Sequence, residues 1–514
     1  MKPALGRGAA LLALVFALAL VVGPVGSLAQ SPGEHTGHEA DDHVNTSGGM
    51  LSMPSEHLQV MIEETPPGGT LIVSEAAYVG PITLDEAITL QARGDPVIDG
   101  NLEGSVVTIT AADVTLRGFT LRGSAVGPMD SPSGVMIEDA DRALIDDVTI
   151  EQSYIGITVR LSDAVVIDGV SISGRGVITG EEHVVETDGD GEHQQHSDDE
   201  QIDGAFTESL IRGDGIWLWN ATDAIVRDTT IDQARDGVYL SYGSGALLER
   251  NQVRGSRYAV HDMYAEDLTV RANDLEGNLS GLVLMYGGPV TVVGNTITES
   301  GSPSTGFGVL VKDVGSVTVE RNVVADNRVG VQVDDAGRTG GDPTLLSGNT
   351  IAMNHIGLLL MPSADAVIGG NGFVENSTQV TMGGQGVTQA VWSLDGLGNY
   401  WSDYGGFDVG GDGTGDVAYV ESGRMSELLA AQPLLLALAS GPAFRLLASV
   451  ESKWLSADPL VRDDAPLVAA PGPSLRGDER GAPAPLWLPG FALTFGCGWL
   501  LLRARRPRRT VAVR

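Results

Sequence analysis

A single cysteine occurs among 514 residues, and it is Cys497, near the C-terminus. No intramolecular disulfide framework is available, so the folded body must be held by its own core. Basic residues are also scarce, with 31 Lys and Arg against 67 Asp and Glu, a formal net charge of −36. That sign argues against nucleic acid or anionic lipid as a partner and for soluble behaviour among cations. The middle of the chain lacks any run suited to a packed helix, which leaves strands to build the core.

What the chain has instead is a repeat. Blocks begin at Gly215 (GIWLWNATDAIVRDTTI), Gly237 (GVYLSYGSGALLERNQV), Ala259 (AVHDMYAEDLTVRANDL) and Gly281 (GLVLMYGGPVTVVGNTI), at a constant interval of 22 residues. The same template finds blocks at Ser105, Gly134 and Gly156 before these, and at Gly308, Gly330 and Gly357 after them. Within each block short period-2 runs alternate apolar and polar residues, the mark of half-buried strands. A repeat of this length defines a solenoid. The fold class is therefore all-β, a right-handed parallel β-helix of about a dozen rungs, each rising by roughly 4.8 Å. Asn251, Asn273 and Asn295 fall at one block position and should stack in a hydrogen-bonded turn column, as should the rings of Tyr242, Tyr264 and Tyr286.

The flanks read differently. Residues 1–29 carry Lys2 and Arg7, an apolar run from Ala9 to Val22 and a Ser27-Leu28-Ala29 end, the pattern of a secretory signal peptide. Residues 30–69 form a mature N-terminus that is His- and acid-rich and expected to be disordered to about 53. The β-helix is assigned to 70–397, with Thr70–Gly100 as its strand-rich cap, and is interrupted at 180–205 by an acidic His loop containing His183, His193 and His196. That loop reads as solvated surface, with loose transition-metal binding as the second reading. Residues 398–420 hold GNYWSDY and an acidic glycine loop, 421–465 a short helical segment, and 466–485 a Pro-rich linker. Leu486–Leu502 is an apolar run of 17 residues followed by RARRPRR, read as one transmembrane helix with a basic cytoplasmic tail at 503–514. A cleaved C-terminal sorting signal is the alternative for that run.

The candidate site follows from strand alternation. The first and third residues after each block start should face the core, and the second and fourth should face outward. Outward positions then hold Trp217, Tyr239 and His261 in one column and Trp219, Ser241, Met263 and Met285 in the next. Thioether and imidazole donors suit Cu(I), a soft ion, so His261, Met263 and Met285 are the candidate copper ligands. Packing residues are the alternative reading of the two methionines. Asp262 occupies an inward position that Leu218, Leu240 and Leu284 fill elsewhere, so a bulge or a flipped register is expected there. Trp217, Trp219 and Tyr239 form a candidate partner-binding surface. Asp408, Asp412 and Asp416 have part of the spacing of a calcium loop, although Gly410 stands where a further acid is expected and no bidentate Glu follows. A β-helix glycosidase would need two or three carboxylates on one outer face. The outward columns carry other residues, so catalysis is not expected. A secreted β-helix lyase, epimerase, hydrolase or carbohydrate-binding protein is the alternative class.

Several segments resemble the NosD family of nitrous oxide reductase maturation proteins, which are described as periplasmic copper-binding proteins. They are RGDGIWLWN (Arg212–Asn220), ARDGVYLSY (Ala234–Tyr242), RYAVHDMYAEDLTVRAN (Arg257–Asn273), GLVLMY (Gly281–Tyr286) and GNYWSDY (Gly398–Tyr404). The resemblance covers roughly Thr70 to Pro471. It implies an exported, periplasmic protein that carries copper transiently and works with an ABC-type ATPase and permease. It also implies a copper chaperone and nitrous oxide reductase itself as partners, and a place in denitrification.

Overall fold

A computed structural model describes residues 52–53, 55–127, 131–174, 212–301, 306–334, 341–362, 364–384, 388–422 and 459–473. Short strands pair in parallel from rung to rung and form three sheets of 14, 12 and 12 strands among the described residues. The result is a right-handed parallel β-helix. The 22-residue interval sets the register: Val238 pairs with Val260 and Val260 with Leu282, so Gly237, Ala259 and Gly281 stack as expected. This column stays small because a Cβ at Gly237 would lie 2.5 Å from the Ala259 carbonyl oxygen of the next rung.

Aliphatic side chains from all three sheets fill the interior. Ile216, Val226 and Ile231 of one rung, for instance, are all fully buried. One wall of the interior is polar. Asn251, Asn273, Asn295, Asn322, Asn349, Asn371 and Asn399 form a continuous ladder in which each backbone N–H and each Nδ2 donates to the Oδ1 of the next. Nδ2 also donates to a carbonyl of the preceding rung, as from Asn273 to Leu248 at 3.0 Å. Each amide is thus fully paired although it is buried. The expected turn column exists, and it lies inside the turn.

Both ends are capped. At the N-terminal end the cap is a helix, Ser55–Glu63, which lies just beyond the stretch expected to be disordered and to which the sequence reading assigned no element. Its Leu58 and Ile62 close the apolar interior, and its Gln59 side chain bonds both the N–H and the C=O of Thr83 on Ile82–Leu84, the end strand of one 12-stranded sheet. An open strand edge is covered in this way. Thr70–Gly100, read as the cap, supplies rungs beneath it. At the other end, Trp401 of the GNYWSDY segment stacks between Phe373 (4.5 Å) and Tyr419 (4.3 Å). Residues Tyr419–Ser422 and Pro459–Asp463 pair as antiparallel strands, the second of them within the stretch read as helical, and Leu467, in the stretch read as linker, pairs with Tyr400. The buried carboxylate of Asp463 accepts from Asn399 N (2.7 Å), Trp401 Nε1 (3.0 Å) and Ala465 N (3.0 Å), which terminates the asparagine ladder.

No helix among the described residues is long and apolar enough to cross a membrane. The signal peptide, the acidic His loop, residues 423–458 of the segment read as helical and the Leu486–Leu502 span lie outside the described residues.

Candidate metal site on the outer face

The candidate residues lie on four neighbouring strands, Ile216–Trp219, Asp236–Ser241, Tyr258–Met263 and Ser280–Met285. Their register aligns Trp217, Tyr239, His261 and Val283 in one column and Trp219, Ser241, Met263, Met285 and Lys312 in the next. The inward residues Ile216, Leu218, Val238, Leu240, Val260, Leu282 and Leu284 are buried, so the alternation holds. Met263 and Met285 are direct partners on adjacent rungs, both half-buried.

Two ladders of rings flank the methionines. On one side Trp217 stacks on Tyr239 (centroids 6.3 Å, planes 8° apart) and Tyr239 on His261 (4.8 Å, 23°). On the other, Tyr242 stacks on Tyr264 at 5.1 Å and Tyr264 on Tyr286 at 5.2 Å, as the spacing predicts. These three tyrosines have φ of 58°, 65° and 66°, a left-handed conformation that is uncommon for a residue with a large side chain. The corner they occupy therefore holds strain. Tyr239 ties the two columns together, because its hydroxyl donates to the Met263 sulfur at 3.6 Å. Burial raises the Tyr239 pKa, which keeps that proton in place. Trp217 Nε1 donates to Ser241 Oγ at 3.4 Å, and the Arg160 guanidinium lies over Trp219, 5.2 Å from its ring centre. Both tryptophans are half-buried and engaged, less open than a free docking surface.

His261 points outward yet is only 8 % exposed. Tyr239 covers one face of the ring, Tyr258 stands edge-on at 5.1 Å, and Nδ1 lies 2.9 Å from Asp236 Oδ2. Asp236 belongs to a charge network that strand alternation did not reveal. Arg257 grips it with Nε to Oδ1 at 2.8 Å and Nη2 to Oδ2 at 2.6 Å, and Arg235 grips Asp214 one rung back at 2.8 and 2.5 Å. Burial followed by the nearby Asp236 charge raises Asp214 to about 6 against the pull of Arg235. For Asp236 the hydrogen bonds from His261 and Arg257 outweigh burial and hold the carboxyl below its usual range. Two carboxylates with diverging pKa values can mark an acid and base pair. Here both are shut from solvent and closed by arginine forks, so neither reaches a substrate. The signal was legible in part, since Arg-Asp or Gly-Asp stands immediately before Gly237 and Gly215.

Asp262 corrects an expectation. It stays in register between Leu240 and Leu284, with no bulge and no flip, and is fully buried. Oδ1 accepts from Ala265 N at 3.1 Å, and Oδ2 has no partner. Burial pushes its pKa up to about 7, so protonation rather than a change of register relieves most of the cost.

Among the described residues no three His, Cys, Asp or Glu side chains group as they would around a metal ion. In the glycine loop both oxygens of Asp408 accept backbone N–H groups, from Gly411 at 2.5 Å and Gly413 at 2.9 Å. The bonds from Gly413 and its neighbours also lower the Asp408 pKa. Asp412 accepts from Thr414 N and Asp416 from Val409 N. These bonds give the three aspartates turn-forming roles.

A parallel β-helix whose outer face sets Met263 and Met285 between two ring ladders, with Asp214 and Asp236 buried beneath arginines beside them, defines the class. A model of the family described as "Periplasmic copper-binding protein (NosD)" matches residues 192–406. A protein of Stutzerimonas stutzeri, "Probable ABC transporter binding protein NosD", is 36 % identical over 424 residues, covering 78 % of this chain and 87 % of the relative. Its namesake in Pseudomonas aeruginosa is 36 % identical over 420 residues, covering 78 % and 89 %. The chain belongs to the NosD family. Among solved structures, the A-module of the mannuronan C-5 epimerase AlgE6 of Azotobacter vinelandii aligns at a TM-score of 0.36 and 15 % identity, over 68 % of this chain and 97 % of that one.

Proposed function

We propose that this protein is an exported, non-catalytic carrier of Cu(I) that serves the assembly of the copper centres of nitrous oxide reductase, together with an ABC-type ATPase and permease. The family description and the relatives' names support the copper and the transporter partnership. The reductase enters through the resemblance of the repeat and GNYWSDY segments to maturation proteins. The single observation that carries the site is the pairing of Met263 with Met285 on adjacent rungs, beside His261.

The donor set fits the ion. Two neutral thioethers and one imidazole match a soft monovalent cation and offer little to Ca²⁺ or Mg²⁺. Met263 and Met285 would hold the ion from successive rungs, while His261 would add a nitrogen from the next column. Neither charge nor a closed cage holds cargo bound this way, which suits delivery to a partner. Trp217, Trp219 and Tyr239 border the donors and would contact that partner. Calcium has no part in this reading.

The test is competition for Cu(I) and Zn²⁺ by the full chain. Cu(I) should be preferred, and replacing Met263 and Met285 together with Leu should abolish the preference. In a host that makes nitrous oxide reductase, the double variant should leave that enzyme deficient in copper. Parental Cu(I) binding and normal reductase maturation in the variant would show that the two methionines are packing residues.

A further inference from the structure

One donor of the proposed site is fixed by a residue outside the donor set. Asp236 is fully buried, and both of its oxygens accept from the Arg257 fork, at 2.8 and 2.6 Å. A carboxylate held in that grip is ionised and only accepts hydrogen bonds. The His261 nitrogen that lies 2.9 Å from Oδ2 is Nδ1, so Nδ1 must carry the proton of that contact. In a neutral imidazole the lone pair then sits on Nε2. Rotation of the ring is opposed on two sides, by Tyr239 stacked on its face and Tyr258 against its edge. Asp236 is braced in turn, since its backbone N–H donates to Asp214 Oδ1 at 3.3 Å and Asp214 is held by Arg235.

We infer that Asp236 is a positioning residue for copper handling, which holds His261 in the Nδ1-protonated tautomer and leaves Nε2 as the one ring nitrogen able to take Cu(I). Metal-binding histidines commonly have such a carboxylate behind them, and its loss typically costs ten- to hundredfold in affinity. The copper in this statement rests on the function proposed above; the tautomer rests on the geometry alone. The chain of support crosses three rungs, from Asp214 through Arg235 and Asp236 to Arg257 and the imidazole. It gives the buried ion pairs a task besides stability, to which such pairs contribute little.

The experiment uses the full chain, free of metal and labelled with ¹⁵N-histidine. A two-bond ¹H–¹⁵N correlation spectrum reads the tautomer of each imidazole, and the signal lost in His261→Gln assigns His261. The parent should show Nδ1 protonated and Nε2 bare, and Asp214→Asn, which leaves the Asp236 carboxylate in place, should show the same. Asp236→Asn should disturb the tautomer and weaken Cu(I) binding, measured with bicinchoninate as competitor, by ten- to hundredfold. A parent spectrum with Nε2 protonated would overturn the inference, and it decides the matter even if Asp236→Asn fails to fold. Unchanged Cu(I) affinity in a folded Asp236→Asn protein would remove the positioning role while leaving the copper reading intact. A parent with the expected tautomer and no Cu(I) affinity would overturn the copper reading, and the positioning role with it.

Discussion

The Tyr239 hydroxyl reaches the Met263 sulfur across one rung, at 3.6 Å, while the same ring lies on His261 at 4.8 Å. One side chain therefore orients both kinds of donor in the proposed site. Tyr239→Phe keeps the ring stack and removes the hydroxyl, with its bonds to Met263 and Ser241. Its melting temperature should stay within a few degrees of the parent, because the loss is on the order of 1 kcal/mol. Its Cu(I) affinity should change by less than that of the Met263 and Met285 double variant, whose cost to the fold is itself about 1.5 kcal/mol or less per site. Titration of the three proteins side by side gives the order.

Asp262 should make stability fall as pH rises. Its carboxyl is pushed up to about 7 in the folded chain from an ordinary value of 3.8. Below 3.8 both states bind the proton and the group contributes no slope. Between about 4 and 7 only the folded state keeps it, so each pH unit weakens the fold, and above 7 the loss is complete. The total is on the order of 4 kcal/mol. Other buried acids titrate nearby, so the measurement is the difference between parent and Asp262→Asn in denaturant unfolding from pH 4 to pH 8. A flat difference would contradict the assignment.

Breaking the asparagine ladder should be costly out of proportion to the atoms removed. Asn295→Ala leaves the Asn273 N–H and Nδ2 facing a methyl group, and the carbonyl of Val270 also loses its donor from this side chain. Each buried group stranded in this way costs about 1 to 3 kcal/mol, so a loss of about 3 kcal/mol or more is expected in thermal unfolding.

The C-terminal cap should fail locally first. Asp463→Ala deprives Asn399 N, Trp401 Nε1 and Ala465 N of their acceptor. Hydrogen exchange should quicken in Gly372–Val374 and Tyr400–Trp401 while Tyr258–Met263 keeps the parental rate.

If Leu486–Leu502 spans a membrane, protease added to intact spheroplasts should digest the solenoid and leave a small C-terminal fragment protected. Full protection of the solenoid, or recovery of the intact chain in the soluble fraction, would count against an anchored protein.

The repeat made the solenoid legible because a coil of constant length turns sequence spacing directly into register. The stacking of Gly237 on Ala259, the column of Asn251, Asn273 and Asn295, and the Tyr242, Tyr264 and Tyr286 stack all follow from the number 22. Features outside the period were not legible. The helix Ser55–Glu63 is nine residues long, too short for its Leu58 and Ile62 to stand out as a pattern, and it acts by covering an end. Pro459–Asp463 finds its partner strand about forty residues upstream, a pairing that no local signal announces. Asp214 and Asp236 precede a glycine at the strand entrance, where polar residues ordinarily mark a turn. Their burial comes from arginines one rung away that reach back over them. Asp262 gave the wrong expectation because alternation treats a carboxyl as charged, and a protonated one can occupy a leucine's place.

The asparagine ladder also makes this molecule a ruler. Its successive members stand 22, 22, 27, 27, 22 and 28 residues apart, yet each step joins one rung to the next with the same bonds. Extra residues are therefore absorbed sideways, at the corners, and add nothing to the height. The distance from the His261 and Met263 rung to either cap can change only by whole coils, in steps of roughly 4.8 Å. A partner gripping one end of the helix would find the methionine column at a height counted in rungs, which corner insertions leave untouched and which the gain or loss of a single coil would misplace by one whole step.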